Sequence, residues 1–178
     1  MIALGIDPGR NDGASSVIDT SWRPHVLTFG CAWSAAKRKS GDVMRMWEAG
    51  YGVWDEPADF DPIAWLFARK WAVTATAVEG HPPRMGGRAH GMNLGHVHEI
   101  GRVCGWVEAL TGITPETPPP AVWRRKVFGI PPGTDAKACD AMILARLPAL
   151  VTLPDGIPPW AMKHLPDACG VALSLRNA

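Results

Sequence analysis

Ile2, Leu4 and Ile6 alternate with small residues over the first six positions, a strand pattern that stops at Asp7. Asn11-Asp12-Gly13 is a hairpin-turn signal, and "ASSVID" follows as a second strand. After Pro24 comes a third, "HVLTFGCAW", so an antiparallel three-strand meander is predicted. Residues 34–60 are polar and Gly-containing and give little periodicity; a short helix around Met44 to Glu48 is the expectation there. "DPIAWLFARKW" predicts a helix, with Asp61 at the N-cap and Pro62 at the first helical position. "VTATAVEG" is β-branched and small throughout and reads as a strand buried on both faces, ending at Glu79.

A Pro/Gly/Arg loop over 81–91 leads to a long helix. Val97, Ile100, Val103, Cys104, Val107 and Leu110 recur on it at helical spacing. Gly91, Gly95, Gly101 and Gly105 also sit on this helix. Glycine costs about 1 kcal/mol in a helix interior, so these four are expected to allow close packing. "GITPETPPP" predicts a short strand and a turn, and "AVWRRKVFG" and "DAKACDAMILARLP" two more helices. "LPDACGVALSLRNA" closes the chain as a last helix with Ala172, Leu173 and Leu175 facing inward. Three strands followed by alternating helices and strands make one α/β domain over residues 1–178.

Composition narrows the class. Of 178 residues, 47% are hydrophobic and 20% charged, which is globular rather than disordered. No run reaches the roughly 20 apolar residues of a membrane span, and Asp7 interrupts any leader-like start. A cytoplasmic protein with no membrane partner is therefore expected. Cys31, Cys104, Cys139 and Cys169 form no CxxC pair, which argues against structural zinc and for small core residues in a reducing compartment. Net charge is only +1, but it is unevenly spread. Acids crowd 42–61, whereas basic residues cluster at 37–39, at Arg84 and Arg88, and at Arg124-Arg125-Lys126.

The acids change the picture most. Asp7 ends the first strand, Glu79 ends the buried fourth one, and Asp167 begins the last helix three residues after His164. If the first and fourth strands are parallel neighbours, Asp7 and Glu79 share one sheet edge. A helix crossing that edge brings Asp167 and His164 to the same place. Singly, each has an ordinary reading: a turn aspartate, a partnered buried acid, a core histidine, a helix N-terminal charge. Together they need a counter-charge, and a divalent ion supplies one. Oxygen ligands suit Mg2+, and an imidazole admits Mn2+. Two such ions about 3.5–4 Å apart can serve phosphodiester hydrolysis.

"GIDPG" at 5–9, "VEG" at 78–80 and "HLPDA" at 164–168 resemble the three catalytic blocks of RuvC-type Holliday-junction resolvases. "MNLGHVHEIGRVCGWVEALTGI", "TPPPAVWRRKVFGI" and "DAKACDAMILARLP" are similar to phage and prophage members, so the resemblance covers nearly the whole chain. It implies a ribonuclease H-like fold: a mixed five-stranded sheet, strands 1–3 antiparallel and strands 4–5 parallel, flanked by helices. It also implies a homodimer that nicks opposed strands of a four-way junction with Mg2+ or Mn2+ in a two-metal site. Asp7, Glu79 and Asp167 match the family's metal-binding carboxylates. His164 falls where many members have aspartate and some histidine, which removes one negative charge.

Arg84 and Arg88 fall where family members place a junction-probing segment. They join Arg124, Arg125, Lys126 and Lys163 as candidate DNA contacts, with a solvated surface as the equal alternative. Lys37-Arg38-Lys39 reads as a solvated loop. The Gly-studded helix 91–111 is the expected place for a dimer interface. Other readings remain open: a non-catalytic junction-binding protein, a nuclease for flaps or forks, or, remotely, an actin-like phosphotransferase using "GIDPG". That last reading needs a second domain for which 178 residues leave little room.

Overall fold

The computed structural model describes residues 1–8, 12–34, 43–48, 52–57, 72–80, 94–157 and 159–175. The meander is present as β1 (Ile2–Asp7), β2 (Asp12–Asp19) and β3 (His25–Ser34), antiparallel throughout. β6 (Ala75–Val78) runs parallel to β1, with Ile6 beside Val78. The expected fifth, parallel strand is reduced to a bridge between Ala77 and Glu116. Val78 N–H donates to Glu116 O at 2.9 Å, and Glu116 N–H to Thr76 O at 3.0 Å.

The mixed sheet extends further than expected on its other side. β4 (Val43–Glu48) and β5 (Gly52–Pro57) form an antiparallel hairpin beyond β3, giving the order β5-β4-β3-β2-β1-β6. A two-residue β7 (Val151–Thr152) adds parallel to the start of β3. The short helix expected at Met44–Glu48 is therefore a strand. Its six residues pair with β3 from Phe29–Glu48 to Ser34–Val43, and again with β5 on the other flank. Two flanking ladders satisfy its backbone, and that pairing outweighs a weak local helix preference.

Each face of the sheet carries its own core. Leu4, Ile6, Val17, Phe29, Cys31 and Val78 pack under α1 (Leu94–Thr111) through Val103 and Val107. Gly101 and Gly105 do not serve this contact. They lie on the exposed side of α1, and a Cβ added at either meets nothing within 4 Å. Gly91, the surroundings of Gly95, the expected helix from Asp61 and the 81–91 loop all lie outside the described residues.

On the opposite face, α2 (Pro120–Phe128), α3 (Ala136–Arg146) and α4 (Leu165–Ser174) cover Ala3, Ala14, Ile18, Leu27, Ala32 and Ala77. α4 sits directly on β1. A Cβ at Gly5 would lie 2.2 Å from Ala168 O and 2.4 Å from Ala172 N, so only glycine fits there. α2 is seated against α4 in the same manner. A Cβ at Gly170 would lie 2.4 Å from the Trp123 ring, which also meets Phe128 edge-on with centroids 6.1 Å apart. Cys31, Cys139 and Cys169 are buried and Cys104 is half-buried, all free thiols. Trp123 is fully buried, whereas Trp22 is 66% exposed. No helix among the described residues is long and apolar enough to cross a membrane.

Candidate metal centre

β1 ends at Asp7 because the apolar alternation ends there. Glu79 follows β6 directly, and its N–H donates to Ile6 O at 2.8 Å, which carries the parallel ladder one step past Val78. Both carboxylates therefore leave the sheet at the same edge. Ala3, Gly5 and Asp7 alternate onto the α4 face of β1. Gly5 seats α4 at backbone distance, so Asp167, in the first turn of α4, arrives beside Asp7. One carboxylate oxygen from each of Asp7, Glu79 and Asp167 lies within 4.8 Å of the others.

His164 stands at the N-cap of α4. Its N–H donates to Ala161 O at 3.3 Å, ending a short 3-10 turn, and its carbonyl accepts from Ala168 N–H at 3.1 Å. Pro166 occupies the second helical position, where no backbone donor is required. His164 Nδ1 lies 2.7 Å from Asp7 Oδ2. Its Nε2 is buried and has no hydrogen-bond partner. A proton on Nδ1, donated to Asp7, leaves a lone pair on Nε2.

The cluster is short of positive charge. Glu79 is 6% exposed, and its carboxyl is pushed up to about 8, first by burial and then by the neighbouring Asp7 and Asp167 charges. Asp167 is pushed up to about 6, again first by burial, against the downward pull of Arg124. Arg124 bonds Asp167 Oδ2 at 3.1 Å, and its guanidinium lies 5.1 Å from the Trp123 ring centre. Arg124 Nε is buried without a partner. Arg124→Gln should cost about 2 kcal/mol, because it removes a charge-assisted bond at mostly buried groups. Urea unfolding at pH 7.5 in EDTA measures this, and an unchanged midpoint would show the pair to be idle.

The raised carboxyls also fix a sign. Between about pH 4.5 and about pH 8, native Glu79 holds a proton that the unfolded chain has released. In metal-free protein its contribution to stability is whole below about pH 4.5. That contribution drains as pH rises and is gone above about pH 8. Glu79→Gln cannot ionise. In EDTA it should be more stable than the parent at pH 8.5, with the gap closing at pH 4.5. Parallel stability curves for the two proteins would contradict this.

The remaining basic candidates are scattered. Arg125 and Lys126 are exposed on α2, and Lys126 Nζ donates to Ser174 O at 2.5 Å. Lys163 is exposed at the end of the 3-10 turn before His164. Arg84 and Arg88 lie outside the described residues. Arg124, read from sequence only as a DNA contact, is held at the acid cluster by Asp167. Nothing local signals this, since it depends on how α2 crosses α4.

No protein-family description matches this chain, and no curated protein does. Among solved structures, Thermus thermophilus RuvC in complex with a Holliday-junction substrate matches over 98% of this chain and 92% of its own. The TM-score is 0.52 at 16% identity. The chain has the RuvC fold. A second structure of Thermus thermophilus RuvC matches over the same shares with a TM-score of 0.48 and 16% identity. Within the RuvC fold, the three carboxylates at the β1/β6 edge offer this chain a hard, oxygen-rich donor set that could bind a metal ion.

Proposed function

We propose that this chain is a metal-dependent, structure-selective DNA endonuclease that resolves four-way junctions by paired nicks. The observation that carries the reading is the convergence of Asp7, Glu79 and Asp167 at one sheet edge in a chain of RuvC fold. The RuvC structure of the same fold was solved with a Holliday-junction substrate, which supports branched DNA as the substrate here.

The cluster of three carboxylates supports a metal centre, read here as a two-metal one. Glu79 is too buried to ionise comfortably beside two other acids, so divalent ions supply what the protein lacks. Asp7, Glu79 and Asp167 would hold them as Mg2+ or Mn2+, and His164, outside that group of donors, would act on it through Asp7. Bound there, such ions activate water and stabilise the leaving oxygen of a phosphodiester. The chain's own residues do the placing. His164 Nδ1–H holds the Asp7 carboxylate in one orientation, as partners of metal ligands do. Arg124 offsets part of the upward push that burial gives the Asp167 carboxyl. Arg84, Arg88, Arg125, Lys126 and Lys163 contribute phosphate contacts whose worth falls with salt.

Paired nicks need two such centres, hence a homodimer of cytoplasmic chains, each a single nuclease domain over residues 1–178. The exposed Val97–Gly101–Gly105 side of α1 is the face offered for pairing. The test is a synthetic four-way junction incubated with the protein and Mg2+ or Mn2+ at pH 8. Symmetric nicks in opposed strands are expected, with ligatable 5′-phosphate ends. Absence of cleavage with either ion over pH 6–9, a span around the histidine range, rejects the reading. Tight, salt-sensitive binding without cleavage then favours a non-catalytic junction binder. Equal cutting of flaps or forks redirects the substrate class.

A further inference from the structure

The carboxylate cluster has a cation of its own. Arg124, on α2, bonds Asp167 Oδ2 at 3.1 Å, and its charge also reaches Glu79. Both members of the pair are mostly buried, Arg124 at 22% side-chain exposure and Asp167 at 17%. A guanidinium grips a carboxylate best with two parallel N–H bonds. Here a single terminal nitrogen, Nη2, reaches Asp167, and Nε is buried without a partner. The pocket is therefore not shaped around this one bond. A second seat lies alongside. The guanidinium carbon is 5.1 Å from the centre of the Trp123 ring, within cation–π range. Trp123 is fully buried and meets Phe128 edge-on, so its ring is a fixed surface.

On the reading proposed above, the same Asp167 carboxylate serves a metal centre, and two cations gathered at one carboxylate repel each other. We propose that Arg124 is the counter-cation of the metal-free cluster and yields Asp167 as metal binds, falling back on the Trp123 ring, so that its hold on Asp167 sets the free-metal concentration at which the centre fills. The one-sided bond makes release easy. The ring keeps the guanidinium from being stranded without a partner in a dry setting. A residue that only orients a metal ligand acts differently: it stays in place when metal arrives, and its removal weakens metal binding. The two roles give opposite signs for the same substitution. Removing a competitor tightens metal binding, and removing an orienting partner loosens it.

The test is Mn2+ binding by the whole chain without DNA, followed by titration calorimetry at about pH 8.5, above the range in which Asp167 takes up a proton. Arg124→Gln should bind Mn2+ about tenfold more tightly than wild type, the factor corresponding to about 1.4 kcal/mol. Arg124→Lys, which keeps a cation at the same helix position, should stay near the parent. Saturating wild type with Mn2+ should also change its near-ultraviolet tryptophan absorbance, as the guanidinium shifts against the Trp123 ring. Arg124→Gln should bind the ion without that change. Weaker or equal binding by Arg124→Gln overturns the inference and leaves the metal centre standing. Should that variant fail to fold, the wild-type tryptophan signal decides, and its absence at saturating Mn2+ overturns the inference alone. Absence of Mn2+ binding in all three proteins removes the metal centre, with the nuclease reading and this inference. Tenfold tightening in a chain that cuts no branched DNA upholds the exchange and rejects only the nuclease.

Discussion

Asp7→Asn and Glu79→Gln should each slow junction cleavage on the order of 10³-fold or more, the scale seen when one preorganised catalytic contact is lost. Junction affinity should hold or tighten. Asp7→Asn removes a carboxylate from the cluster and Glu79→Gln replaces a carboxyl that stays largely protonated until metal arrives, each while keeping the size of the side chain. The two acids are not equivalent before metal arrives. Glu79 is buried and pushed up to about 8, so its loss should cost no stability at pH 8. Asp7 holds His164, so Asp7→Asn should also loosen the start of α4. Single-turnover cleavage with saturating Mg2+, paired with gel-shift titrations in EDTA, separates chemistry from binding. Either variant keeping a tenth of the parental rate would remove its residue from the centre.

Gly5→Ala should be the most damaging single methyl in the described chain. The new Cβ meets Ala168 O, Ala172 N and Ala172 Cβ at 2.2, 2.4 and 2.7 Å. Two of these are backbone atoms inside a helix and cannot rotate away. The cost should reach about 3 kcal/mol, the upper end for overpacking. That corresponds to a fall of about 6–12 °C in Tm for a chain of this length. Relief requires α4 to lift off β1, and α4 carries Asp167, so cleavage should fall along with stability. Gly101→Ala is the matched control. It sits on a helix with open space around it, and removing the glycine should stabilise by up to about 1 kcal/mol. Equal midpoints for Gly5→Ala and the parent would mean that α4 is not seated as described.

Much of this frame is legible in the chain because each element announces itself locally. Ile2, Leu4 and Ile6 alternate, "VTATAV" is small and branched, and "AVWRRKVFG" and "DAKACDAMILARLP" read as helices. The acids are legible for a related reason: a carboxylate at the rim of an apolar element is out of keeping with its neighbours. What stayed hidden depends on contacts between distant segments. β4 is a strand because β3 and β5 flank it, and its own six residues say little. The glycines of α1 show a period but not a direction, so tight packing and open solvent look alike in the sequence. Arg124 reads as one of three basic residues until α2 is laid across α4 and Asp167 claims it.

The seat of α4 on β1 has a consequence for how such a chain can diverge. The gap between Asp7 and Asp167 is set by peptide groups touching across Gly5, with no side chain between them to act as a shim. Substitutions in the surrounding core can change volume, shape and melting temperature without altering that spacing. A lineage could replace most of its hydrophobic interior and still keep its carboxylates in gauge, provided residue 5 stays bare.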